Sequence, residues 1–171
     1  MKHGSSKLKA VVNILTVSDT RSLEDDKSGS LAVTALEQAG HSIASREIVR
    51  DELGEIAAII SAWAGDAAVD AIVVTGGTGP ARRDVTPEAI SPLMTATMPG
   101  FGELFRQLSY EEIGAAAMLS RADAGWIDTD NLRTPVFMLP GSPNAVSLAM
   151  QQLIIPQLAH LLDVCSLEPK T

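Results

Sequence analysis

Residues 69–90 read Val-Asp-Ala-Ile-Val-Val-Thr-Gly-Gly-Thr-Gly-Pro-Ala-Arg-Arg-Asp-Val-Thr-Pro-Glu-Ala-Ile. The first seven, Val69 to Thr75, are short, β-branched and nearly continuous in apolar character. That is the pattern of a strand covered on both faces, as in a parallel sheet. Gly76-Gly77-Thr78-Gly79 follow at once, and Pro87 suits the first turn of a helix, with Thr86 as its expected N-cap. A strand, a glycine turn and a helix in that order make half of a parallel crossover unit.

Working outward towards the N-terminus, Val11 to Val17 is a second buried strand, followed by a polar stretch, Ser18 to Ser28, that holds Glu24-Asp25-Asp26. Leu31, Ala32, Ala35, Leu36 and Ala39 recur at helical spacing until Gly40 stops the helix. Ile43 to Val49 alternates apolar and polar residues, which fits a strand nearer an edge. Asp51 precedes a second helical pattern, Leu53, Ile56, Ala57, Ile59, Ile60 and Trp63. Towards the C-terminus, Pro99-Gly100 is expected to break the alternation. Phe101 to Leu119 reads as mostly helical with an interruption near Ser109 or Gly114. Trp126–Thr129 and Pro135–Leu139 read as short strands with a turn at Asn131. A last helix runs from about Asn144 towards Leu162, kinked or divided at Pro156. The alternation predicts an α/β fold, a doubly wound, mostly parallel sheet with helices on both faces. Residues 1–9 are expected to be a flexible tail, 10–165 a single domain and 166–171 a C-terminal tail.

Composition narrows the function. The chain has 171 residues, 46% of them hydrophobic and 20% charged, which is ordinary globular usage. Its 13 Lys and Arg against 21 Asp and Glu give a formal net charge of −8. An acidic domain is a poor partner for nucleic acid or an anionic membrane surface. The sole cysteine, Cys165, excludes an intramolecular disulfide and Cys-rich zinc sites. A polar N-terminus and no apolar run long enough for a membrane span leave a cytoplasmic protein as the simplest expectation.

In an open parallel sheet, ligands bind beyond the carboxyl ends of the strands. Three strands end there in polar or glycine-rich loops: Ser18-Asp19-Thr20-Arg21, Gly76-Gly77-Thr78-Gly79 and Pro140-Gly141-Ser142-Pro143. The glycines allow positive φ and let backbone N–H groups approach an anion, or they simply make a tight turn. The spacing matches neither the lysine-bearing phosphate loop nor the dinucleotide fingerprint. Arg82 and Arg83 are either a phosphate grip or a solvated basic pair. Asp84 and Asp51 each precede a helix, so each is either a cap or a magnesium ligand beside a phosphate. Asp19 either binds a ligand donor or fixes its own turn. Ser142 has no basic partner, because His3, His41 and His160 all fall away from this rim. Glu103, in Pro99-Gly100-Phe101-Gly102-Glu103, and Ser120, before Arg121, lie in loops of open role.

Taken together, Val17-Ser18-Asp19-Thr20-Arg21, the run from Thr75 to Glu88, Pro99 to Glu103, Leu119-Ser120-Arg121 and Leu139 to Pro143 resemble the MoaB/MogA family of molybdenum cofactor biosynthesis, in order from about residue 11 to 160. The resemblance implies a doubly wound domain that adenylylates the terminal phosphate of molybdopterin with Mg-ATP and releases pyrophosphate. It implies Asp51 and Asp84 as the acidic residues of the reaction and ligands of Mg2+. It implies Gly76, Gly77, Thr78 and Gly79 as the ligand cradle. Ser18, Asp19, Gly141 and Ser142, then Glu103 and Ser120, join the pocket wall, and Arg82 or Arg83 helps neutralise the triphosphate. The alternative within the family is a molybdopterin-binding or scaffolding oligomer without catalysis. The short chain resembles the MoaB branch, which implies a homohexamer, with a trimer as the runner-up, and contacts with other proteins of the pathway. Trp63, Trp126 and Leu148 to Leu162 supply the apolar surface that such an assembly would cover.

Overall fold

The computed structural model describes residues 9–130 and 132–165. The expected tails and the turn at Asn131 therefore lie mainly or wholly outside the described residues. Six strands form one sheet: β1 (Val11–Val17), β2 (Ser42–Val49), β3 (Ala71–Thr75), β4 (Ala96–Thr97), β5 (Asp123–Thr129) and β6 (Leu132–Leu139), in the spatial order β2-β1-β3-β6-β5-β4. The β2-β1-β3-β6 half is parallel, and β5 and β4 extend it antiparallel. The sheet is thus mixed. Strands β5 and β6 make a hairpin longer than the two fragments expected, because Asp123, Ala124 and Gly125 also pair with β6.

Alternation along each inner strand sends side chains to two separate cores. Val12 and Ile14 of β1, Ala71 and Val73 of β3, and Phe137 and Leu139 of β6 face α1 (Lys27–Gln38), α4 (Pro99–Ile113) and the C-terminal helices. Leu15 and Val17, Ile72 and Val74, and Val136 and Met138 face α2 (Leu53–Ala64) and α3 (Thr86–Ile90). Strand β2 is the edge, and its side chains are only half-buried or exposed, as its alternation predicted. A register shift between Val12 and Asn13 leaves one amide of β2 over. The buried Asn13 side chain supplies the missing acceptor, taking a hydrogen bond from Ser45 N at 2.9 Å.

Two local expectations are corrected, and the interruption expected near Ser109 or Gly114 falls at Gly114. Pro99 does not break the chain but stands in the first turn of α4, where its missing N–H costs nothing. Gly114, at φ 61°, ends that helix, and a 3-10 segment continues over Gly114–Leu119. Thr86 does not cap α3: Val85 is the N-cap, and the Thr86 hydroxyl is turned inward onto Gly76 O at 2.8 Å.

The C-terminal helix has α5 (Pro143–Ala149), a π segment (Met150–Ile154) and α6 (Ile155–Cys165). The wide turn immediately precedes Pro156, whose ring and lack of N–H forbid a regular bond at this point. By length and composition alone this 23-residue helix could cross a membrane, contrary to the expectation that no such run exists. Val146, Ala149, Met150, Ile154, Leu158 and Leu162 instead close the first core. One face of the stretch Leu148–Leu162 is therefore interior, while Leu148, Leu153, Ile155 and Leu161 are only half-buried, so the spare apolar surface expected there is reduced. Trp126 is half-buried, donating Nε1–H to Cys165 Sγ at 3.1 Å and lying under the Arg133 guanidinium at 5.2 Å. The large apolar side chains that do face outward include Leu104, Ile113, Met118 (77% exposed) and Leu119, on α4 and the 3-10 segment after it.

Candidate functional site

Because β1, β3 and β6 run parallel, Val17, Thr75 and Leu139 end on one rim. The loops after them are packed against one another. Gly76 N–H donates to Leu139 O at 3.0 Å, and the Thr75 hydroxyl donates to Pro140 O at 2.9 Å. A Cβ on Gly76 would overlap the Val17 carbonyl oxygen, and its φ of 99° also suits glycine alone. The loops enclose a cleft of about 480 Å³ whose walls include Ser18, Arg21, Asp51, the Gly76–Gly79 run, Asp84, Ser120 and Gly141.

The glycine loop is organised by its carbonyls. Gly76 O accepts from the Thr86 hydroxyl, Gly77 O from Thr86 N, Thr78 O from Arg121 N, and Gly79 O from Arg121 Nε at 2.9 Å. Among the described residues, no protein acceptor takes the N–H groups of Gly77, Thr78 or Gly79. All four carbonyls are thus tied back into the protein, and three consecutive amides are left for an anion. Arg121 also donates to Asp84 O at 2.7 Å and pairs with Glu88, so one guanidinium fixes both ends of the Gly79–Asp84 turn.

Neither acidic candidate caps a helix. Asp84 Oδ2 accepts from Ala81 N at 2.9 Å across its own turn. The N-cap of α2 is Glu52, and Asp51, 8% exposed, lines the cleft beside the glycine loop. Both carboxylates abut that loop: a Cβ on Gly77 would lie 2.8 Å from Asp51 Oδ1, and one on Gly79 would lie 2.7 Å from Asp84 Oδ2. Burial, reinforced by the charges of Asp19 and Asp84, pushes the Asp51 carboxyl above its ordinary value. Among the described residues no cluster of three or more metal-binding side chains exists. Magnesium does not need one, since it commonly takes one or two carboxylates, waters and substrate phosphates. Two carboxylates beside free amides, one of them strained by like charge, suit that donor set.

Other candidates lie off the cleft. Arg83 Nε and Nη2 donate to Asp19 at 2.7 and 2.9 Å, and Nη2 also donates to Glu52 at 2.7 Å. Those bonds raise the Arg83 pKa and lower that of Asp19, making a surface latch between loops. Asp19 also accepts from Asp51 N at 3.3 Å. Arg82 is exposed and Glu103 stands on the outer face of α4. Ser142 caps α5, accepting from Ala145 N. None of these five lines the cleft.

Arg21, whose loop was expected on this rim without a role for its side chain, lines the opposite wall, and the buried Ser28, which sequence reasoning did not single out, supports it from behind. Arg21 Nη1 donates to Gly141 O at 3.0 Å, and the Ser28 hydroxyl donates to the same oxygen at 2.7 Å. Behind them lies Asp26, 1% exposed, the N-cap of α1. Burial alone would raise its carboxyl. Hydrogen bonds from Gly29 N (3.0 Å), the Thr16 hydroxyl (2.7 Å) and Arg46 Nη2 (3.0 Å) outweigh burial and hold it below its ordinary value.

Comparison with known proteins gives a consistent picture. The family model described as a probable molybdopterin binding domain matches residues 13–160. Molybdenum cofactor biosynthesis protein B of Bacillus subtilis (strain 168) is 54% identical over 149 residues, 86% of this chain and 85% of that protein. A crystal structure of a molybdenum cofactor biosynthesis protein B superposes with a TM-score of 0.86 at 45% identity, covering 92% of this chain and 96% of the other. The tungsten cofactor synthesizing protein MoaB from Pyrococcus furiosus superposes with a TM-score of 0.83 at 37% identity, covering 93% and 98%.

Proposed function

The chain belongs to the family of probable molybdopterin binding domains, and from that premise we propose that it acts in molybdenum cofactor biosynthesis by transferring AMP from Mg-ATP to the terminal phosphate of molybdopterin. The observation that carries the reading is the glycine loop, with three amides free of protein acceptors and two carboxylates against it.

In the reaction a terminal phosphate oxygen of molybdopterin forms a bond to the α-phosphorus of ATP, and the bond to the bridging oxygen breaks to release pyrophosphate. The nucleophile is already anionic, so no strong general base is required. The barrier lies in charge repulsion and alignment. The amides of Gly77, Thr78 and Gly79 orient phosphate oxygens, and Asp51 and Asp84 would hold Mg2+. When bound, Mg2+ supplies charge neutralisation on the triphosphate. Ser18, Ser120 and Gly141 shape the remaining wall. This division of labour explains how an acidic chain can accept two polyanionic substrates. A symmetric homo-oligomer, a hexamer in preference to a trimer, accompanies the reading. Its apolar contact is assigned to Leu104, Ile113, Met118 and Leu119, because these large apolar side chains are exposed while one face of the C-terminal helix closes the core.

The test is a direct assay with molybdopterin, ATP and Mg2+. Adenylylated molybdopterin and stoichiometric pyrophosphate are expected. A chain that binds molybdopterin yet releases no pyrophosphate is instead a binding or scaffolding oligomer. Light scattering at micromolar protein reads the assembly: a mass near 18.0 kDa would reject any oligomer.

A further inference from the structure

We propose that Arg21, and neither Arg82 nor Arg83, is the cation that receives the metal-free phosphate of the substrate. The assignment rests on the molybdopterin-binding reading of this cleft and adds the residue that anchors its phosphate. Among the described residues Arg21 is the sole cationic one lining the cleft. It also lines a neighbouring groove of similar size on the far side of the Ser18–Arg21 ridge, so its head stands at the junction of the two.

The other candidate arginines are spent or misplaced. Arg83 is spent on Asp19 and Glu52, Arg121 on Gly79 O, Asp84 O and Glu88, and Arg46 on Asp26. Arg82 is exposed and off the cleft. In Arg21 only Nη1 is engaged among the described residues, so Nε and Nη2 remain to donate. A guanidinium with two unspent donors suits a phosphate fork.

Charge supports the same end of the cleft. Asp26 lies 3.9 Å from Arg21 but 3.0 Å from Arg46, so one carboxylate faces two guanidiniums and this cluster keeps a positive charge. The opposite wall carries Asp51 and Asp84. A phosphate monoester without a cation is repelled there and attracted at Arg21. The fixed Gly141 carbonyl and the Ser28 hydroxyl hold the guanidinium in place before the ligand arrives, which lowers the entropy lost on binding.

The test uses calorimetry with magnesium-free inorganic pyrophosphate on the full chain at low ionic strength. Arg21→Ala is expected to weaken binding by roughly tenfold or more, the range of a charge-assisted bond, and Arg21→Lys should restore part of it. Arg133→Ala makes the same change of net charge on the β5–β6 hairpin and should leave affinity unchanged. Ser28→Ala removes one of the supports of the guanidinium but leaves its own bond to Gly141 O, so it should weaken binding clearly less than Arg21→Ala does. Wild-type protein that ignores pyrophosphate overturns the assignment. So does Arg21→Ala binding as tightly as wild type, or Ser28→Ala losing as much as Arg21→Ala, since the role would then be loop support. No nucleotide or turnover enters this measurement. A chain that binds through Arg21 but transfers no AMP retires the reaction and keeps the residue.

Discussion

The two walls of the cleft are built on one plan with opposite charges. On one wall Arg21 faces the cleft and Asp26 stands behind it. On the other, Asp51 and Asp84 face the cleft and Arg121 clamps the turn that carries Asp84. The supports differ in depth. Asp26 is sealed under α1 and bonded by Thr16, Gly29 and Arg46. Arg121 keeps about a third of its side chain exposed, and its partner Glu88 about half. A buried charge network is coupled to folding, whereas a half-exposed clamp is coupled mainly to the loop it holds. The positive wall is therefore part of the core, and the negative wall is an adjustable fitting upon it.

The largest effect should come from the buried support. Asp26→Ala removes the buried carboxylate that caps α1, strips the Thr16 hydroxyl and Gly29 N of their acceptor and costs the half-buried Arg46 its ion pair, and is expected to cost about 3–5 kcal/mol, read by denaturant unfolding. A loss below about 1 kcal/mol would erase the distinction between the walls. Asp84→Asn should come next. It preserves volume and the acceptor for Ala81 N, so unfolding should hardly move, while magnesium-dependent transfer falls about a hundredfold or more, roughly 2.7 kcal/mol of barrier. Unimpaired transfer would remove Asp84 from the proposed metal site. Arg121→Ala should lower transfer about tenfold while changing stability by about 1 kcal/mol or less. A collapse as severe as that of Asp26→Ala would show that both supports belong to the core.

The smallest effect has the more telling sign. Asp51 has a raised carboxyl, so its charge opposes folding above that value, and the penalty is relieved as pH falls through it. Asp26 has a lowered carboxyl, so its contribution is complete above the ordinary aspartate value and lost as pH falls through the lower one. Asp51→Asn should accordingly raise the melting temperature at neutral pH by about 1–3 °C, with a gain that shrinks on acidification. A loss of stability, or a gain independent of pH, would contradict the repulsion assigned to Asp19, Asp51 and Asp84.

These walls were unequally legible in the sequence. The strands and the glycine loop showed because each is a local signal, an apolar run or a cluster of glycines. Asp51 and Asp84 were read as either caps or ligands, and only their packing against Gly77 and Gly79 separates them from the helix ends. Arg82 and Arg83 read as either a phosphate grip or a solvated basic pair, because adjacent arginines beside a glycine loop share its sequence neighbourhood whichever way they point. In space, Arg83 turns to Asp19, 64 residues away. The rim loop ending at Arg21 was legible, but its tie to Ser28 was not, because their common partner, Gly141, is 120 and 113 residues distant. The start of α1 was obscured too. Ser28 and Gly29 are buried by contacts with Asp26 and Gly141, which no helical periodicity records.

The π segment over Met150–Ile154 bears on how chain length is counted in this fold. Such a segment holds one residue more than an α-helix of equal rise. Here the surplus is absorbed before Pro156, and the side chains of Val146 and Ala149 on one side and Leu158 and Leu162 on the other still meet the same core. A version of the chain without the proline and one residue shorter at Gln151 or Gln152, both exposed, would keep all four in phase. A gap at that point in a pairwise alignment would then mark the unwinding of a helical turn and not a shortened loop. The same deletion made while Pro156 remains would either put the proline inside a regular turn, where its ring and missing N–H break the helix, or keep the wide turn and throw the last three turns about 100° out of phase.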